Sequence, residues 1–169
     1  FSELKKNLKL GKIGHLQIIK ANRLNFGSVR KKESVLFDLT SHDISMILSI
    51  TNTIPKNVEV NAVFTNSKEI ADYINVILYF EKDLLAIINS DWISPYKEHR
   101  FSVLGSKGSL IFDDTKDWSN KLVLNPSYLN KEKKIIYKPE ETIPIVNEEP
   151  LKKEVEIFLK CVEKTQKPI

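Results

Sequence analysis

Ala71-Asp72-Tyr73-Ile74-Asn75-Val76-Ile77-Leu78-Tyr79-Phe80, then Glu81-Lys82-Asp83, then Leu84-Leu85-Ala86-Ile87-Ile88-Asn89-Ser90-Asp91-Trp92, is the stretch that decides the fold. Two runs rich in β-branched and aromatic residues flank a short polar connection, and that pattern predicts a β-hairpin. Ile74, Val76, Leu78 and Phe80 fall on one face of the first run, while Tyr73, Ile77 and Tyr79 make much of the other. Strands that are apolar on both rows need cover on both faces of their sheet.

The strand pattern continues in both directions. Val58, Val60, Ala62 and Phe64 alternate, and His15 to Leu24 has strand character with Leu16 and Ile18 on one side and Gln17 and Ile19 on the other. His99–Leu104 and Ser109–Asp113 flank Gly105-Ser106-Lys107-Gly108, which lacks the Walker spacing and leads into a strand, so it is a second hairpin turn and not a phosphate loop. Leu122–Leu124 and Ile135–Tyr137 are shorter and peripheral.

Helical spacing occurs in three places. Leu4–Leu10 stops at Gly11, a residue suited to a helix C-terminus. Asp38–Ile50 carries Leu39, Ile44, Ile47 and Leu48 on one side. Pro139–Pro150 is an acidic, proline-containing linker, after which Leu151–Glu163 forms an amphipathic helix through Val155, Phe158, Leu159 and Val162. The expected class is α+β: an open, predominantly antiparallel sheet with helices packed on one face, in a single domain spanning residues 1–169. Three helices cannot cover two faces. The second face is therefore expected to be a subunit interface of a homo-oligomer, the alternative being ordinary amphipathic exposure.

Composition removes several function classes. A chain of 169 residues suits one domain, and its 41% apolar and 28% charged content is that of a globular protein. No apolar run approaches the ~20 residues of a membrane span. The net charge of +4 is spread in short runs such as Lys5-Lys6 and Lys31-Lys32, whereas a nucleic-acid binder gathers charge on one face with stacking aromatics. Cys161 is the only cysteine, which excludes an intrachain disulfide and fits a cytoplasmic setting. Phe1-Ser2-Glu3-Leu4-Lys5-Lys6 reads as the middle of a helix, so the chain is expected to be a piece of a longer protein.

The chemistry concentrates in Val35-Leu36-Phe37-Asp38-Leu39-Thr40-Ser41-His42-Asp43-Ile44-Ser45. On an α-helix Asp38 and His42 share a face, with Cβ atoms about 5–6 Å apart. Imidazole carries protons near neutral pH, and a nearby carboxylate fixes its tautomer and raises its basicity. Asp43 points elsewhere and is a structural acid. The other reading of the pair is a helix N-terminus whose Asp and His satisfy backbone groups. Arg23, Asn25 and Arg30 precede this helix, and Lys97 and Arg100 follow the Trp92 loop; convergence of these loops would give a basic polar rim for a diphosphate or a carboxylated sugar. Structural ion pairs are the alternative for Arg23 and Arg100, and Trp92 is either a wall for a sugar or a core anchor. His15 and His99 are surface or core histidines, no metal-ligand spacing occurs, and no Gly-x-Gly-x-x-Gly turn is present for a dinucleotide.

Asn22-Arg23-Leu24-Asn25-Phe26-Gly27, the Asp38/His42 segment, Ser90-Asp91-Trp92-Ile93-Ser94-Pro95-Tyr96-Lys97, and Arg100 to Asp114 through Gly105-Ser106-Lys107-Gly108 occur in an order that resembles the C-terminal domain of the glucose-fructose oxidoreductase/inositol dehydrogenase/rhizopine catabolism family. The resemblance runs from Gly11 to the last helix and is greatest to the members that oxidise UDP-N-acetylglucosamine at C3. It implies NAD or NADP in the intact parent, bound by an N-terminal Rossmann domain that this chain lacks and that supplies a catalytic lysine. It further implies a sugar or sugar-nucleotide substrate. In this resemblance His42 is the proton-transfer residue and Asp38 orients it or binds the sugar. Arg23, Asn25, Arg30, Trp92 and Lys97 are its expected substrate contacts. The alternative function is a non-catalytic assembly domain built on the sheet, with Asp38 and His42 structural.

Overall fold

A computed structural model describes residues 1–145 and 150–163, without the side chains of residues 150–154. Helix α1 (Ser2–Lys9) precedes strand β1 (Leu16–Leu24), and a π-helical turn (Leu36–Thr40) runs directly into α2 (Ser41–Thr51). Strands β2 (Asn57–Val63), β3 (Tyr73–Tyr79), β4 (Leu85–Asp91), β5 (Glu98–Gly105) and β6 (Gly108–Asp113) follow. Short strands β7 (Leu122–Asn125), β8 (Tyr128–Leu129), β9 (Ile135–Ile136) and β10 (Glu141–Thr142) lead to α3 (Pro150–Val162). Eight strands form one sheet in the order β10-β7-β6-β5-β1-β4-β3-β2, and β8 and β9 make a separate ribbon. Every pairing is antiparallel except β1 with β4. The α+β expectation holds.

Both expected hairpins form. In β3–β4 the turn places Lys82 at φ 57° and Asp83 at φ 59°, and Leu84 N donates to Glu81 O at 3.3 Å. Positive φ at both central residues marks the turn whose twist matches that of paired strands. In β5–β6 Gly105 is required by close approach, because a Cβ there would lie 2.3 Å from the Ile13 carbonyl oxygen. The acidic linker is not featureless, since β10 pairs with β7 within it; residues 146–149 of that expectation lie outside the described residues.

Alternation sorts the sheet into two faces. Ile19 and Ala21 of β1, Ile74, Val76 and Leu78 of β3, Ala86 and Ile88 of β4, and Phe101 and Val103 of β5 are buried. They share a core with Leu4 of α1, Val35, and Ile47 of α2. Each Val, Leu, Ile or Phe among them contributes about 1.5–3 kcal/mol when fully buried, and each alanine less. On the opposite face Ile18, Tyr73, Ile77, Tyr79, Leu85 and Ile87 are only half-buried. The second apolar row expected from β3 is therefore present, half-buried. Val155, Phe158, Leu159 and Val162 of α3 are also exposed.

The helix expected from Asp38 begins instead with a π-helical turn. Val35 and Thr40 lie five residues apart and both are fully buried, which i→i+5 geometry allows and an α-turn does not. Thr40 Oγ1 donates to Val35 O at 3.3 Å, and Val35 N donates to Ala71 O at 3.1 Å, tying the turn to the segment leading into β3.

Candidate functional site

Four of the expected site residues, Asn25, Arg30, Asp38 and His42, lie in the segment from the end of β1 to the first turn of α2. Lys97 lies on the β4–β5 connection. Because β1 and β4 are parallel, with Leu24 beside Asp91, both chains leave the sheet at the same end. Gly27 N donates to Trp92 O at 3.3 Å and ties the two loops together. Asn25, Arg30, His42 and Lys97 are exposed.

Asp38 has a different partner from the one expected. Arg30 Nε donates to its Oδ2 at 3.3 Å and Arg30 Nη2 to its Oδ1 at 3.4 Å, so both carboxylate oxygens are engaged by the guanidinium. Among the described residues no side chain is hydrogen-bonded to the His42 ring. Asp38 and His42, placed on one face by α-helical spacing, are thus not hydrogen-bonded to each other. The π-helical turn changes the angular step between the two positions, and Arg30 reaches the carboxylate from the preceding loop.

Arg23 and Trp92 each have an acidic partner within the chain. Arg23 Nε and Nη2 each donate at 3.1 Å to Asp43, a bidentate pair that fixes the first turn of α2 to β1 immediately beside His42. Asp43 is thus the structural acid expected. Trp92 is 3% exposed and donates Nε1–H to Asp72 Oδ1 at 2.7 Å, so it anchors the core and does not present a wall to solvent. Its burial follows from the indole finding an acceptor that satisfies its one polar group.

Asp72 was not anticipated, and it organises the loop end of the sheet. Its Oδ2 accepts from Thr65 N at 2.8 Å, Thr65 Oγ1 at 2.6 Å and Asn66 N at 2.9 Å, while Oδ1 takes Trp92 and Asn66 Nδ2. Burial alone would raise its pKa; the donors of Thr65, Trp92 and Asn66 outweigh that and hold it well below the usual carboxylate range. His99 was expected to stand without an acid. Its Nδ1 lies 3.1 Å from Asp114 Oδ2, yet burial and the neighbouring Arg23 push its pKa down, against the pull of Asp114 and Asp43.

The site is an open surface. Two shallow recesses, about 380 Å³ between α1 and α2 and about 270 Å³ beside β6 and β7, do not include Asn25, Arg30, Asp38 or His42. Phe26 and Phe37, flanking Asn25 and Asp38 in sequence, are 70% and 71% exposed. Among the described residues no three His, Cys, Asp or Glu side chains converge as for a metal, and no helix is long and apolar enough to cross a membrane. The glycines lie in short turns or alone in the loop after β1, so the described residues do not fit a dinucleotide.

The fold is shared with that of solved oxidoreductases, and a family model matches most of the chain. Residues 1–111 match the GFO/IDH/MocA C-terminal domain model, and the chain belongs to that family. Its fold is that of UDP-N-acetylglucosamine 3-dehydrogenase GnnA from Acidithiobacillus ferrooxidans, at 18% identity and a TM-score of 0.74, covering 97% of this chain and 50% of that one. Aldose-aldose oxidoreductase from Caulobacter crescentus, complexed with glycerol, matches at 16% identity and a TM-score of 0.75, over 99% of this chain and 51% of that one. An oxidoreductase from Pseudomonas syringae matches at 13% identity and a TM-score of 0.69, over 88% and 40%. The chain thus spans about half the length of the solved structures it matches. No curated protein matches it.

Proposed function

We propose that this chain is the substrate-binding and assembly half of a cytoplasmic NAD(P)-dependent oxidoreductase acting on a hydroxyl of a sugar or sugar nucleotide. The observation that carries the proposal is His42, exposed on the first turn of α2 four residues after Asp38, which Arg30 holds; Phe26 and Phe37 in the same β1–α2 segment are exposed too. Such a surface is half of a cleft and takes its other wall from outside this chain. The nicotinamide would accept the hydride, and it would be held by an N-terminal Rossmann domain, since the residues here do not fit it.

This chain's part is proton handling and orientation. His42 accepts the hydroxyl proton at a ring nitrogen. Arg30, held by Asp38, and Asn25 hold the sugar or its diphosphate through charge-assisted and amide hydrogen bonds. Lys97 adds positive charge from the opposite loop. Arg23 and Trp92 act indirectly, the first by fixing the α2 turn through Asp43 and the second by holding the Gly27 loop. The open sheet face joins copies of the chain into a homo-oligomer.

The test is His42→Ala in the intact parent. The expected outcome is a loss of at least ~100-fold in kcat, the scale of general acid–base catalysis, with an unchanged melting temperature. Near-normal kcat in the folded variant would end the catalytic assignment and favour a purely structural domain.

A further inference from the structure

We propose that His99 is a positioning residue for the first turn of α2. As a neutral imidazole it lies beside Arg23 and leaves that guanidinium committed to Asp43. As an imidazolium it weakens the Arg23–Asp43 pair and releases the turn that carries His42. The inference rests on the part given to His42 above and adds the group that sets the turn.

At the loop end of the sheet one row on the helix side reads Ile74, Ser90, Arg23, His99 across β3, β4, β1 and β5. Alternation fixes the side. Arg23 continues that of Ile19 and Ala21, and His99 that of Phe101 and Val103, all four of which are buried in the core. Neighbouring strands lie about 4.8 Å apart, so the imidazole is the next side chain to the guanidinium. On the other side of Arg23 stands Ser90, which is uncharged and fully buried. Within this row, then, only His99 can change its charge beside Arg23.

Four charged groups face His99: Asp114 just past β6, Arg23 on β1, Asp43 on α2 and Lys97 on the β4–β5 connection. Both acids already hold a cation. Asp43, its side chain 4% exposed, takes Arg23 at both oxygens. Asp114 takes Lys121 at Oδ1, while its Oδ2 lies 3.1 Å from His99 Nδ1. A proton on His99 thus adds a fourth cation to Arg23, Lys97 and Lys121 against two carboxylates. Burial and Arg23 keep the His99 pKa below the ordinary histidine value despite Asp114 and Asp43, so at the imidazole Arg23 outweighs Asp43.

An imidazolium in that place repels Arg23 and attracts Asp43, and both effects act on the same fork. The repulsion is relieved when the guanidinium leaves Asp43. Asp43 follows His42 directly, so the turn that loses this tie is the one that aims the ring. Linkage fixes the sign. The closed turn holds His99 below its ordinary pKa, so the released turn binds the proton first as pH falls. Closure is complete above the ordinary histidine pKa of about 6.5 and is lost as pH falls toward the folded value. By reciprocity, the factor by which the proton opens the turn equals the factor by which closure weakens proton binding.

The experiment is amide hydrogen exchange, read by NMR on the 169-residue chain over a pH series and divided into the intrinsic rate at each pH. The three histidine rings are titrated in the same samples. Protection at residues 41–45 is expected to fall at least ~5-fold, the low end of coupling between linked sites, as pH drops through the His99 titration. His99→Gln, which takes no proton, is expected to give a flat profile, and His99→Lys, a fixed cation, low protection at every pH. Amides of β3 and β4 report that each variant is folded, and His99→Asn replaces a Gln variant that is not. A packing role for His99 would lower protection in His99→Gln at every pH without flattening the profile, and that result overturns the inference. So does a fall that follows the His42 titration. The measurement involves no catalysis: a flat wild-type profile removes the positioning role of His99 and leaves the part given to His42 standing, whereas near-normal kcat in His42→Ala removes that part and leaves the exchange result unchanged.

Discussion

Replacing Asp72 with Asn tests whether a single carboxylate holds the loop end of the sheet. Each of its oxygens receives only donors, so an amide must turn its NH₂ toward one donor group. The oxygen would stay with the three contacts from Thr65 and Asn66, leaving the Trp92 indole N–H facing another N–H inside the core. Hydrogen bonds to a charged group are worth about 1.5–3 kcal/mol, and a buried unsatisfied donor costs about 1–3 kcal/mol. Asp72→Asn should therefore cost about 3 kcal/mol. For a chain of this length that is roughly 6–12 °C in Tm.

Thermal and urea unfolding followed by circular dichroism measure the loss, and Trp92→Phe completes a double-mutant cycle with an expected coupling of about 1–3 kcal/mol. The pH dependence gives a second check. Asp72 stays ionised in the folded chain to pH values below the usual carboxylate range, so the unfolded chain binds its proton first as pH falls. Its contribution is complete above the unfolded pKa of about 4 and is lost as pH falls toward the folded value. The Asn variant should lack that portion of the acid limb. A cost below about 1 kcal/mol, or additivity with Trp92→Phe, would refute the role given to Asp72.

Asp83→Gly should raise stability by about 1 kcal/mol, because a non-glycine residue at positive φ is strained there; urea unfolding measures it, and an unchanged or lower midpoint counts against the turn geometry. Asp43→Ala strands the half-buried Arg23 and should cost about 2 kcal/mol, whereas Arg30→Ala breaks an exposed pair and should cost about 1 kcal/mol or less. Equal costs in thermal melts would show that the two ion pairs do not differ as their burial implies. The isolated chain should bind no NADH by calorimetry; saturable micromolar binding would contradict the assignment of the cofactor to another domain.

Local alternation made the hairpins and the two-faced sheet legible in the sequence, because pleat and burial are read every second residue. What the sequence did not disclose depends on distant partners. The π-helical turn arises from the joint burial of Val35 and Thr40 against the segment before β3, and no local spacing reports that demand. Trp92 stood open between core and site until Asp72, twenty residues away, supplied the acceptor. Arg30 reaches Asp38 across an irregular loop, where periodicity carries no information. Asn61, Asn75, Asn89 and Asn22 are visible as letters, but only the register of β2, β3, β4 and β1 turns them into a hydrogen-bonded row on the open face.

Strand β1 joins the two halves of the proposed function. Asn22 and Arg23 are consecutive, so their side chains leave opposite faces of the sheet. Arg23 fixes the α2 turn that carries His42, while Asn22 takes part in the amide row on the open face. Both residues are flanked by β4 and β5, whose loops bear Trp92 and Lys97. A shift of β1 by one residue would exchange the two side chains, breaking the Asp43 pair and the amide row together. The packing of Ile19 and Ala21 that prevents this slip therefore secures the proposed site and the proposed assembly surface at once. Enlarging Ala21, which is fully buried opposite Phe101, should thus disturb both readouts in parallel, loosening the α2 turn and weakening self-association; a change in one alone would show that the two faces are independent.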